Sequence, residues 1–78
     1  MYCENFMVVD SYVDKSGVKK KKIKAEILST DVPSTFPVDG SDIDRLDGNY
    51  VLAPGSTLYV VNGARLFMAD EDVNFIEQ

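Results

Sequence analysis

Seventy-eight residues, 45% of them hydrophobic and 27% charged, suffice for one small core, so neither global disorder nor several domains is expected. One cysteine and no histidine exclude an internal disulfide and any nucleophile activated by an imidazole base. The net charge of −5 is unevenly spread: residues 1–28 carry six Lys against Glu4, Asp10, Asp14 and Glu26, and residues 29–78 carry Arg45 and Arg65 against nine acids.

That gives +2 for the first part and −7 for the second, which together make the −5. Such acidity argues against a whole surface made for nucleic acid, and leaves one basic strip free to face a polyanion. The unpaired cysteine fits a reducing compartment. No apolar run of about 18 residues is present, so no membrane-spanning helix and no membrane partner are expected. The start, Met1-Tyr2-Cys3-Glu4-Asn5, lacks the basic residues and apolar run of a secretory signal.

In chain order, residues 1–28 read as a lysine-rich β-hairpin. Residues 2–13 and 18–28 are its strands, and Asp14-Lys15-Ser16-Gly17 is its turn, with Gly17 in the left-handed closing position. Pairing Val13 with Val18 sets Asp10 opposite Lys21, Val8 opposite Ile23 and Phe6 opposite Ala25. One ion pair and two apolar pairs then share a ladder, whereas a slip of one residue sets Val8 against Lys24.

Residues 29–48 change character. Thr30 to Gly40 holds Pro33 and Pro37 and reads as an extended linker, because each proline removes a ladder donor and keeps its predecessor extended. Ser41 to Gly48 predicts a short helical turn, with Ser41 as N-cap, Asp42 and Asp44 near its positive end and Gly48 as its stop. Ile43 and Leu46, three apart, would face the sheet together.

Residues 49–78 read as a short strand over 49–52, a turn at Pro54-Gly55, a hairpin and a final strand over 74–77. Asn62-Gly63 predicts a tight two-residue corner, since both residues tolerate positive φ. It pairs Val61 with Ala64, Tyr59 with Leu66 and Thr57 with Met68 on one face. Val60 with Arg65 and Leu58 with Phe67 fall on the other. Both faces are thus largely apolar, which is difficult to bury in so small a monomer. One face is expected to meet the core and the other a second chain, the alternative being that the N-terminal hairpin covers it. The candidate assembly surface comprises Leu58, Tyr59, Val60, Leu66, Phe67 and Met68.

No catalytic, cofactor or metal constellation stands out. Asp39, Asp42, Asp44 and Asp47 invite a calcium reading, but a loop begun at Asp42 puts Leu46 and Asp47 where a ligand and a glycine are needed. These carboxylates read as solvated turn and helix-start groups. Lys19, Lys20, Lys21, Lys22 and Lys24 could grip phosphates. In the hairpin register, however, Lys20, Lys22 and Lys24 form the wet face of a strand and discourage edge pairing, and no aromatic residue is interleaved with them. Cys3 reads as a small apolar filler.

The blocks Val32-Pro33-Ser34-Thr35-Phe36-Pro37-Val38-Asp39-Gly40, Ile43-Asp44-Arg45-Leu46, Val51 to Val61 and Leu66 to Asp72 resemble a pattern in small tailed-phage and prophage proteins described as head-fibre or capsid-associated. The resemblance covers about residues 32–77, rests on turn chemistry and strand pattern, and carries over no site residue. It departs at Val73, where the pattern has Gly after Asp-Glu-Asp. The resemblance implies a non-enzymatic virion component found in the particle, or in the bacterial cytoplasm during assembly, whose partners are other copies of itself and other virion proteins. The expected fold is mainly β, a small antiparallel sheet or barrel of two hairpins plus a short helical turn. The other reading is a small β-barrel that binds nucleic acid or another polyanion through Lys19–Lys24.

Overall fold

Alternating apolar residues build the strands, and the connections decide how the strands are laid together. A computed structural model describes residues 1–78. Its six strands are β1 (Asn5–Val13), β2 (Lys19–Ile27), β3 (Val51–Leu52), β4 (Thr57–Val60), β5 (Arg65–Ala69) and β6 (Phe75–Glu77). They form one sheet in the order β1-β2-β4-β5-β6, with β3 also paired to β2. The fold is mainly β, as expected, but the sheet is mixed and open rather than antiparallel or closed into a barrel. The parallel element enters at β2, which runs parallel to both β3 and β4. The long segment between β2 and β4 crosses the sheet, and a crossover of that length delivers the next strand in the same direction.

The first hairpin keeps two of its expected pairs, Val8 with Ile23 and Phe6 with Ala25. A β-bulge between Val8 and Asp10 shifts the rest, so Asp10 faces Lys22 rather than Lys21 and Val13 faces Lys19 rather than Val18. The turn explains the loss of the Val13–Val18 pair. Asp14 occupies Val18 instead: its N–H donates to the Val18 carbonyl at 3.0 Å, and its carboxylate accepts from Ser16 N and Val18 N, both at 2.9 Å. The bulge also changes phase. Phe6 and Val8 lie on the side of Ile23 and Ala25, whereas Asp10 and Tyr12 lie on the opposite side with Lys22 and Lys20.

The second hairpin has the expected ladder, Thr57–Met68, Leu58–Phe67, Tyr59–Leu66 and Val60–Arg65. Its corner is not the expected two-residue primed turn. Gly63 N donates to Val60 O at 3.2 Å, and the residue with positive φ is Ala64 (φ 50), not Asn62 or Gly63. Asn62 serves as a tie instead. Its Oδ1 accepts from Ser29 N at 2.8 Å and its Nδ2 donates to Ser29 Oγ at 3.0 Å, which fastens the corner to the end of β2.

The predicted helical turn over Ser41–Gly48 is reduced to a 3-10 turn at Gly40–Asp42. Its cap is Asp39, whose carboxylate accepts from Ser41 N at 2.9 Å, not Ser41. So short a segment cannot offset the cost of nucleating an α-helix. Ile43 and Leu46 are nevertheless both buried. With Phe36, Leu52 and the N-terminal Cys3, they cover one face of the sheet. Phe36 lies 5.0 Å from the Phe67 ring and 5.4 Å from the Phe75 ring. The N-terminus is held to this cover by Asp44, whose N–H donates to Met1 O and whose Oδ1 accepts from Cys3 N, both at 3.1 Å.

Candidate assembly surface

One face of the sheet is covered and the other is bare. The pairings Lys24–Thr57–Met68–Ile76 and Glu26–Tyr59–Leu66 place these side chains in two rows on the bare face. Asn5 and Met7 continue the rows onto β1, opposite Glu26 and Lys24. Met7, Ile76, Tyr59 and Met68 are 59%, 51%, 38% and 38% exposed. Met7, Lys24, Glu26, Thr57, Tyr59 and Leu66 all line a shallow groove of about 610 Å³ on this side. The groove is apolar along Met7, Tyr59 and Leu66 and carries the charges of Lys24, Arg45 and Glu26.

The six candidate assembly residues divide between the two faces. Leu58, Val60 and Phe67 are in the core and contribute nothing to the surface. Tyr59, Leu66 and Met68 are on the bare face. The N-terminal hairpin does not lie over them, because β2 joins β4 edge to edge and the two hairpins share one sheet. Met7 and Ile76 complete the strip, yet sequence reasoning left them out. The signal for Ile76 was available in the alternation Phe75-Ile76-Glu77, whereas Met7 stands in the unbroken apolar run Phe6-Met7-Val8-Val9, which marks no face.

The lysine run is dispersed over both sides of β2. Lys20 reaches Asp14 at 3.4 Å. Lys21 sits over the Tyr50 ring at 4.2 Å, with Lys19 over the same ring at 6.0 Å. Lys22 passes over Gly55, and Lys24 stands exposed on the bare face. Tyr50 is an aromatic partner that the run itself lacked, brought in by the pairing of β3 with β2. Because β2 is flanked on both sides, these lysines guard no sheet edge; the sheet ends at β1 and β6.

The acidic residues are distributed among turns. Asp39, Asp47 and Asp70 each accept from backbone N–H groups two residues on, at 2.9 Å, as Asp14 does. Glu77 makes a two-pronged pair with Arg65, both contacts at 2.9 Å, and this holds its carboxyl below the usual glutamate range. Cys3 is fully buried. Burial, followed by the nearby Asp44 charge, pushes its thiol up to about 11, which makes it a poor nucleophile. A second cavity of about 660 Å³ lies between the N-terminus and the cover, lined by Met1, Tyr2, Phe36, Pro37, Asp42 and Asp44 among others.

No protein-family model, curated protein or solved structure matches the chain.

Proposed function

We propose that the protein is a non-enzymatic structural component of a phage or prophage virion, acting by self-association and by docking onto other virion proteins. The observation that carries this reading is the bare apolar strip of Met7, Tyr59, Leu66, Met68 and Ile76 on a sheet whose other face is closed by its own chain. Surfaces of this kind mark contact sites. In a particle with many copies, weak contacts add up through high local concentration. The turn-and-strand pattern over residues 32–77 supports the virion setting.

Two measurements test the reading. Sedimentation of the purified protein should give a species larger than 8.7 kDa. Particles purified after induction of a host that carries the gene should contain the protein in stoichiometric amount, detected by mass spectrometry. A folded monomer together with particles free of the protein would overturn it.

A further inference from the structure

We propose that the open edge of β1 pairs antiparallel with β1 of a second copy of this chain, about a two-fold axis at Ser11. This rests on the self-association reading above and names a surface different from the bare face. β1 ends the sheet and pairs only with β2, so its other edge has no backbone partner. Soluble proteins blunt such edges with prolines, lysines, bulges, inward charges or short strands. β1 is nine residues long and has no Pro, Gly or Lys, with Asp10 as its one charged residue, and its one bulge, between Val8 and Asp10, leaves the ladder from Asp10 to Val13 regular. The lysines lie on β2, an interior strand, where they cannot repel an incoming strand. Along the edge, Val13 is 62% exposed, Val9 43% and Tyr12 39%.

The sequence of β1 is self-complementary in this arrangement, which favours a second copy over a foreign strand. A two-fold axis at Ser11 sets Asp10 opposite Tyr12 of the second copy and Val9 opposite its Val13. Asp10 and Tyr12 project to the same side of the sheet, since each pairs with a lysine of the even row, Lys22 and Lys20. Each row across the joined sheets then reads Lys22, Asp10, Tyr12 of the second copy, Lys20 of the second copy. The anion stands inside, the cations outside, and no like charges are neighbours. The paired stretch runs from Val9 to Val13, bounded by the bulge at one end and the Asp14 turn at the other. An interface of five residues per copy is small, so its affinity is low and its effect depends on copy number.

The test uses sedimentation from about 10 μM to about 1 mM, a span that covers weak association. The full chain is compared with Val9→Lys plus Val13→Lys and with Val9→Lys plus Val13→Glu, folding being checked by circular dichroism. The first pair opposes like charges at both symmetric contacts and should weaken association at least tenfold; the second opposes unlike charges and should restore it. Independently, Ser11→Cys in a Cys3→Ala background should oxidise to a cross-linked dimer, because directly opposed residues are about 4.5–5.5 Å apart at Cα, within disulfide reach. Ser34→Cys in the same background should not. Association unchanged by the paired lysines, with no Ser11→Cys cross-link, would overturn the edge while leaving self-association through the bare face intact. A folded monomer across the whole range would overturn both.

Discussion

The hydroxyl of Ser56 takes the place of a strand where β2 changes partners. β2 pairs with β3 at Lys20–Lys21 and with β4 at Lys24–Ile27, so Ile23 lies between the two ladders. Ser56 Oγ accepts from Ile23 N at 3.1 Å and donates to Ala53 O at 2.7 Å, and the side chain is fully buried. Removing the hydroxyl leaves a buried N–H with no partner. Ser56→Ala should therefore destabilise the fold by about 1–3 kcal/mol, more than the loss of one small atom suggests. Urea unfolding checks it: the midpoint should fall with an unchanged slope. A midpoint equal to that of the unmodified chain would mean that another group reaches Ile23.

A second prediction concerns Val73, which holds φ 60. A β-branched residue in the left-handed region is strained by about 1–3 kcal/mol. Val73 also packs, half-buried, against the core, and half-burying such a side chain contributes on the order of 1 kcal/mol. Strain is the larger effect. Val73→Gly should thus stabilise by up to about 1 kcal/mol, and Val73→Asn should do so less. A lower melting temperature for Val73→Gly would show that packing dominates.

Much of the architecture is legible in local sequence. The Tyr59–Leu66 and Leu58–Phe67 pairs follow because a single register aligns the two apolar runs, and Gly17 at φ 82 closes the turn that its neighbours prescribe. Two things are not legible. Nothing local states where the chain goes after Ile27, so the parallel pairing of β2 with β4 is a long-range result that local patterns cannot carry. The bulge at Val9 is hidden for a different reason: in Phe6-Met7-Val8-Val9 every residue is apolar, and alternation that marks no phase cannot reveal a change of phase. The candidate surface inherits both gaps. The outward half of the second hairpin is readable, but Met7 joins it through the sheet order alone.

A third prediction follows from Cys3. Burial, then the Asp44 charge and hydrogen bond, raise its thiol from the ordinary 9.0 to about 11. In the unfolded chain the thiol ionises near its ordinary value, so the native state is favoured by its neutral form below pH 9, and that contribution is lost as pH rises through about 11. Between those limits the native chain should lose stability more steeply than Cys3→Ala, although the variant is the less stable of the two at pH 7 because it loses packing. Denaturant midpoints of both proteins at pH 7, 9 and 10.5 check this (pH values spanning about the ordinary and raised thiol ranges). Parallel pH profiles would mean that the thiol is more solvated than its burial implies.

The last prediction separates contact from polyanion binding. A phosphate-gripping strip needs several cations on one side with their charges free. Lys20 is paired with Asp14, Lys21 and Lys19 lie over Tyr50 on one side of β2, and Lys22 and Lys24 lie on the other. The Tyr50 ring has a face occupied by Lys21 and not offered to a base, and Tyr12 stands opposite Lys20, the lysine already paired with Asp14. The −7 of residues 29–78 adds repulsion that acts over about 8 Å at physiological salt. Single- and double-stranded nucleic acid titrated at two salt concentrations should therefore show no binding near physiological salt. Lys20→Gln with Lys22→Gln should shift stability by less than about 0.5 kcal/mol each and leave association intact. Micromolar binding that disappears in that double variant, with a salt slope reduced by about one per lost phosphate contact, would instead establish the lysines as the working surface.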